Sequence, residues 1–114
     1  MNVREIVQAL DLQVVAGSTA LNREITGGYS ADLLSCVMAR AQTGNVLATL
    51  QAHPNVVAVA TLLELAAVIV TEGAPVPDDV IAKANAEGIP LLSTPHTTFW
   101  VVGELARLGV KAQE

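Results

Sequence analysis

The chain has 114 residues, of which 52% are hydrophobic and 15% charged, and its formal net charge is −5. This length suits one domain around a single hydrophobic core, so we expect residues 1–114 to form one domain. The low charge fraction leaves apolar groups on the surface, which favours self-association. Nucleic acid is excluded as a partner, because phosphate contacts need clustered Lys and Arg and no two of the six basic residues are adjacent.

The cysteine content and the apolar runs of the sequence indicate where the protein is located and whether it enters a membrane. Cys36 is the only cysteine, so an internal disulfide or a thiolate metal site is ruled out. Arg4 and Glu5 stand where a signal peptide would need an apolar core. The longest apolar stretch, residues 55–70, is interrupted by Glu64 and is too short to span a membrane. We therefore expect a cytoplasmic protein that does not enter a membrane.

The amino-terminal part of the chain predicts a helix followed by a strand. Asn2 and Glu5 have the spacing of a capping box, which indicates a helix running through Leu10. The apolar, β-branched run from Leu12 to Gly17 is typical of a strand.

The next segment is centred on two adjacent glycines. Residues 21–26 form a weaker strand candidate, and the glycine pair predicts a tight turn with positive φ angles, after which Ser30 caps a helix. Neither a Walker A sequence nor a G-x-G-x-x-G sequence surrounds the pair, so a phosphate loop is not indicated. We interpret the segment as a turn, with a turn that also approaches a partner backbone as the alternative. The residues of this turn or interaction motif are Thr26, Gly27, Gly28, Tyr29 and Ser30.

Three strand–helix units follow with a regular spacing. Continuous apolar runs begin near Val46, Val68 and Leu91, about 22 residues apart, as in successive βα units with parallel, doubly buried strands. The sequence therefore predicts an α/β fold, a small three-layer α/β/α domain with a mainly parallel sheet of about four to five strands. Helix starts are predicted at Asn55, at Pro77, and at Thr97 or Thr98.

In an open α/β sheet, ligands bind beyond the carboxyl ends of the strands. The residues expected there are polar, and nearby helix N-termini favour anions. A nucleotide, a phosphate or a carboxylate would fit this edge, although the same residue types also cap helices whatever the protein binds. We expect residues 17–19 at this edge as well. The candidate ligand-binding residues are Thr71, Gly73, Ser93, Thr94 and Thr98.

Catalytic and metal-binding patterns are weak. His53, Glu72 and His96 follow different strands and include no closely spaced ligand pair, so we expect no metal site. Cys36 has no histidine nearby in sequence to act as a base, and Ser30 lacks a G-x-S-x-G context. We predict no catalytic residues and no cofactor.

The residues resemble a known family. Glu24-Ile25-Thr26-Gly27-Gly28 stands where the DRTGG domain carries the Asp-Arg-Thr-Gly-Gly run that names it, with Glu for Asp and Ile for Arg. The blocks at residues 55–73 and 88–99 also look like that family, so that the resemblance extends from about Leu12 to Leu108.

The resemblance implies an α/β domain that usually accompanies others. Such domains occur beside the catalytic domain of HPr kinase/phosphorylase, within long phosphate acetyltransferases, and between CBS modules that bind adenine nucleotides. Stand-alone copies are similar to small proteins encoded near iron-only hydrogenases. Because this chain has no P-loop, the resemblance does not imply serine kinase activity.

Two hypotheses follow. The first is a non-catalytic regulatory or interaction module that forms a homodimer or contacts another protein, through the Thr26–Ser30 segment and the last helix around Trp100. Adjacent Phe99 and Trp100 point to different sides of that helix, so one of them is available to a partner. The alternative is a sensor that binds an adenine nucleotide or another anion at the carboxyl edge of the sheet.

Overall fold

The computed structural model describes residues 1–114 and contains five strands and five α-helices. The strands form one sheet in the order β1-β5-β4-β3-β2, in which β2 to β5 run parallel and β1 is antiparallel to β5. The elements in chain order are α1 (Val3–Leu10), β1 (Gln13–Ala16), β2 (Gly27–Ser30), α2 (Leu34–Arg40), β3 (Asn45–Thr49), α3 (Pro54–Leu63), β4 (Ala67–Val70), α4 (Asp78–Glu87), β5 (Leu91–Ser93) and α5 (Thr98–Arg107).

The sheet is covered on both faces by helices. Alternate residues of β4 point to opposite faces, as the pleat of a strand requires. Val68 and Val70 join a core cluster with α2, α3 and α4, whereas Ala67 and Ile69 join a second cluster with α1 and α5. Both faces of β4 are therefore apolar, which explains its uninterrupted apolar sequence. The predicted three-layer α/β/α architecture and mainly parallel sheet are confirmed.

Several of the predicted helix N-caps are present, and the N-cap of α3 is a different residue from the predicted one. Asn2 accepts a hydrogen bond from the Glu5 N–H at 3.0 Å in a complete capping box, and Thr97 Oγ1 accepts one from the Trp100 N–H at 3.2 Å. Helix α3 is capped by His53, whose Nδ1 accepts from the Asn55 N–H at 3.0 Å. The prediction of Asn55 as the cap is therefore wrong, because the helix begins earlier, with Pro54 in its first turn.

The predicted glycine turn is also wrong. Gly27 and Gly28 lie inside β2, paired with Asn45 and Val46 of β3, and neither has a positive φ angle. Ser30 ends this strand and caps no helix; its hydroxyl donates to the Ala48 carbonyl at 2.9 Å. The strand is formed through pairing with β3, which overrides the low strand propensity of glycine.

The predicted weaker strand before the glycines is reduced to a single bridge. Glu24 pairs antiparallel with Asn2, and no further ladder forms along residues 21–26. None of the helices combines the length and the apolar character that crossing a lipid bilayer requires.

The central position of β4 makes a core truncation costly. Ile69 is fully buried in this strand, so Ile69→Ala should lower the free energy of unfolding by about 2–5 kcal/mol through lost burial and a residual cavity. Urea unfolding followed by far-ultraviolet circular dichroism measures the change. Leu62, which is 67% exposed on α3, provides the control: Leu62→Ala should change stability by at most about 0.5 kcal/mol. Equal effects of the two substitutions would contradict the described core.

Candidate functional site

The five candidate ligand-binding residues come together at the carboxyl edge of the sheet. Thr71 and Gly73 follow β4, Ser93 ends β5, Thr94 comes next, and Thr98 begins α5. A groove of about 350 Å³ opens at this edge. Its lining contains Gly73, Ser93 and Thr94, together with Asp11, Gln13, Ala74 and Pro95.

The hydroxyl groups of this cluster bond to one another. Thr71 Oγ1 and Thr98 Oγ1 lie 2.5 Å apart, and Thr71 is fully buried. The Thr98 N–H donates to Glu72 Oε2 at 2.7 Å. The N-terminus of α5 thus already has an anionic partner from its own chain.

The backbone of the same region is tightly connected. The Gly73 N–H donates to the Thr94 carbonyl at 3.1 Å, and the Glu72 N–H donates to the His96 carbonyl at 2.8 Å. Glu72 and Gly73 both adopt positive φ angles, 65° and 64°. For Glu72 this conformation is strained, and the bond from its carboxylate to the start of α5 helps to hold it.

A second carboxylate fills the edge beyond β3. Asp32 Oδ1 accepts hydrogen bonds from the Thr49 hydroxyl at 3.0 Å and from the Leu50 N–H at 2.9 Å. Asp32 was not identified from the sequence, where its position shortly before α2 was the only indication of a role at this edge. The free N–H groups that would attract an external anion at β3 and at α5 are therefore occupied by Asp32 and Glu72.

One sequence prediction for this edge is wrong. Residues 17–19 lie at the opposite edge, because β1 runs antiparallel to β5, and the amino end of β1 is at the carboxyl edge instead. No group of three His, Cys, Asp or Glu side chains is arranged to hold a metal ion. His53 caps α3, and the His96 ring stacks on Trp100 with centroids 3.7 Å apart.

The glycine pair forms a second candidate region, at the free edge of the sheet. Gly27 is buried beneath the last residues of the chain, and a Cβ atom there would lie 2.7 Å from the Lys111 carbonyl oxygen and 2.7 Å from Gln113 Cγ. A Cβ at Gly28 would lie 3.1 Å from Val110 Cγ1. The glycines are needed here for close approach of another segment to the strand.

A group of polar atoms holds the segment in place. The Gly28 N–H donates to the Lys111 carbonyl at 3.0 Å, and Gln42 Nε2 donates to the Gln113 carbonyl at 2.7 Å. Asn45, only 2% exposed, donates from Nδ2 to Gln113 Oε1 at 2.5 Å. Thr26 Oγ1 lies 3.3 Å from the same Oε1 atom. We call this the Thr26–Gly28 slot, formed by Thr26, Gly27, Gly28, Gln42 and Asn45.

The segment that fills the slot, Val110–Glu114, was not identified from the sequence. It carries no apolar periodicity and lies far along the chain from β2. The signal available was Asn45, a polar residue at the start of an otherwise apolar strand. A buried amide of this kind needs a partner, which here is Gln113.

An apolar groove runs beside the same edge. Phe99, Val102 and Ala106 lie on one exposed side of α5, at the i, i+3, i+7 spacing of a helix face. Phe99 is 78% exposed and Val102 41%. We call these three residues the α5 face. A groove of about 390 Å³ separates α5 from β2 and is lined by Gly28, Tyr29, Ser30, Ala48, Val102, Leu105, Ala106, Val110, Ala112 and Glu114.

The charges of α5 lie away from this face. Arg107 donates to Glu104 through Nε at 3.2 Å and Nη2 at 3.0 Å, and these bonds lower the pKa of the Glu104 carboxyl and raise the pKa of the Arg107 guanidinium. Glu104 follows Val102 by two residues, so it projects from the opposite side of the helix. Glu114 is the only charged residue that lines the groove.

The chain is a small three-layer α/β domain, as the sequence predicted. Its mainly parallel sheet lies between two helical layers, and the Thr-Gly-Gly run lies at the free edge of that sheet. The family model for the DRTGG domain matches residues 5–108. The chain belongs to the DRTGG family, and the resemblance seen in the sequence is confirmed. None of the curated proteins compared with the chain matches it.

A solved structure has the same fold. It contains the CBS and DRTGG domains of the regulatory region of a Clostridium perfringens pyrophosphatase, in complex with its activator diadenosine tetraphosphate. The TM-score is 0.73 at 16% sequence identity, over 90% of this chain. The chain spans about 45% of the length of that protein's structure, so the likeness concerns the fold alone.

The contact at Gly27 makes a testable prediction. Gly27→Ala should displace the segment Val110–Glu114, because the added Cβ cannot lie 2.7 Å from the Lys111 carbonyl. We expect trypsin to cleave after Lys111 at least about tenfold faster, since cleavage follows the open population. Mass spectrometry measures the loss of the last three residues.

Gly103→Ala is the matched control for this variant. A Cβ at Gly103, inside α5, meets no atom within 4 Å. Cleavage after Lys111 should be unchanged there, and helix propensity should raise stability by about 0.5–1 kcal/mol. An unaltered cleavage rate in Gly27→Ala would contradict the described contact.

Proposed function

We propose that this chain is a non-catalytic regulatory DRTGG domain that self-associates through the α5 face and the neighbouring edge of β2. The observation that carries the proposal is an uncharged, apolar helix face beside the outer edge of β2, where no further strand pairs. DRTGG and CBS domains form the regulatory region of the similar pyrophosphatase, which supports a regulatory role.

The distribution of charge is compatible with a second copy as the partner. Two copies that each carry a net charge of −5 repel each other least where the surfaces that meet are neutral. The α5 face carries no charge, and its groove contains only Glu114, in the exposed last segment. An exposed apolar helix face with a polar surround is typical of protein interfaces.

The edge of β2 adds backbone groups to this surface. Because the Gly28 N–H points outward to Lys111, strand alternation directs the Ser30 N–H and carbonyl to the same free side. Unpaired edge groups are a template for adding another chain segment. Face and edge together supply apolar area and directional hydrogen bonds, the two ingredients of a specific contact.

The proposal predicts that a charge on the α5 face separates the copies. Val102→Asp should weaken self-association at least about tenfold, because an unpaired carboxylate is costly to bury. Size-exclusion chromatography with light scattering measures the mass, against 11.8 kDa for one chain. Leu62→Asp, at an exposed apolar site on α3, should leave the mass unchanged. Equal masses for wild type and Val102→Asp would contradict the proposal.

A second candidate is a sensor at the carboxyl edge, favoured by the 350 Å³ groove beside Ser93 and Thr94. The similar pyrophosphatase structure holds diadenosine tetraphosphate, which makes that molecule the natural probe. Asp11 in the groove and Glu72 beside it oppose an anion, so we place this candidate second.

The sensor candidate predicts a thermal shift. Diadenosine tetraphosphate at a hundredfold excess over its dissociation constant should add about 2.7 kcal/mol of stability, and Thr94→Val should reduce the shift. Inorganic phosphate serves as the comparison ligand. No shift with the dinucleotide, or an equal shift in Thr94→Val, would remove this candidate.

A further inference from the structure

We propose that the Thr26–Gly28 slot is a peptide-binding site that takes an extended segment with a glutamine side chain, and that Lys111–Gln113 of the same chain occupies it in cis. The slot shares Gly28 with the edge of β2 but contains no residue of the α5 face, and it does not require self-association through that face.

The slot presents hydrogen-bond donors in a fixed pattern. The Gly28 N–H donates to the main-chain carbonyl of Lys111, and Gln42 Nε2 donates to that of Gln113. This spacing selects an extended ligand, in which carbonyls two residues apart point the same way. The pattern would be met by any chain in this conformation, so it sets ligand shape and not ligand sequence.

The amide of Asn45 supplies the side-chain selectivity. Its Oδ1 accepts from the Gln42 N–H at 3.0 Å, which fixes the orientation of the amide and directs Nδ2 into the slot. Nδ2 meets Gln113 Oε1 at 2.5 Å. Without the ligand, the remaining protein partner of this donor is Thr26 Oγ1, at 3.4 Å. An acceptor on a flexible side chain, such as a glutamine amide, meets that need.

The charge of the chain favours an amide over a carboxylate in the slot. The Thr26 hydroxyl lies 2.7 Å from the Thr43 carbonyl oxygen and 3.3 Å from Gln113 Oε1, as a donor shared between the two oxygens. The net charge of −5 opposes a ligand that carries a further negative charge.

The cis ligand is held by hydrogen bonds at the surface. All four residues Lys111–Glu114 are exposed, and α5 ends before them at Arg107. The short linker gives the cis segment an effective concentration of the order of millimolar, against which a ligand in trans competes.

The test uses a fluorescent peptide of sequence GVKAQE, matching residues 109–114, and the full chain with Gln113→Gly. This substitution removes the competing amide and loosens the cis segment. Fluorescence anisotropy should show the peptide binding at least about tenfold more tightly to Gln113→Gly than to wild type. The peptide GVKAAE, which lacks the amide, should bind Gln113→Gly at least about tenfold more weakly.

Three results would overturn the proposal. One is that GVKAQE does not bind Gln113→Gly at concentrations up to about 1 mM. The others are that the two peptides bind equally tightly, or that wild type and Gln113→Gly bind GVKAQE equally tightly. Asn45→Asp in the Gln113→Gly background removes the donor and should abolish binding. Gly27→Ala serves the same purpose if Asn45→Asp does not fold.

The source of a trans ligand is identified in the same assay. Unlabelled protein carrying Asn45→Asp keeps Gln113 but cannot hold it, so its last segment is available to other copies. Displacement of the labelled peptide by this protein identifies a second copy as the source, and lack of displacement excludes a second copy. Because light scattering reports on the α5 face separately, failure of the slot and failure of the proposed function are distinguishable.

Discussion

A Cβ atom at Gly27 would lie 2.7 Å from the Lys111 carbonyl oxygen, and the use of the free sheet edge depends on this close approach. Because β2 presents bare backbone there, another segment lies flat on it and bonds to the Gly28 N–H. The same contact brings Gln113 to the buried amide of Asn45. The Thr-Gly-Gly run is thus explained by the packing of one segment against a strand, and phosphate binding is not needed to account for it.

The carboxyl edge of the sheet and its free edge at β2 differ in the polar groups that they present. At the carboxyl edge, Asp32 and Glu72 occupy N–H groups that an anion would otherwise use, and the hydroxyls of Thr71 and Thr98 bond to each other. At the free edge of β2, donors and apolar surface are directed outward beside the uncharged α5 face. Because of this contrast, we propose an interaction role ahead of a nucleotide-sensing role. It also fits a chain in which 52% of residues are hydrophobic while 33 of the 114 are buried.

The sequence predicted most of the architecture because its signals were local. Doubly buried strands gave continuous apolar runs, as in β4, and caps such as Asn2 and Thr97 marked helix starts. Non-local features were not predictable. The glycine pair of β2 is typical of a turn in the sequence, and only its pairing with β3 makes it a strand. The direction of β1 depends on its pairing with β5. The contact of Gln113 with Asn45 joins positions 68 residues apart, and no local pattern encodes it.

We propose that copies of this chain meet at the α5 face and the edge of β2. Hydrogen–deuterium exchange measured across a range of protein concentrations is the decisive experiment, because it reports both association and its location. We expect slower exchange at residues 28–30 and 99–106 as concentration rises, while exchange in α3 stays constant. Exchange that is independent of concentration at residues 28–30 and 99–106, or protection confined to α3 and α4, would contradict it.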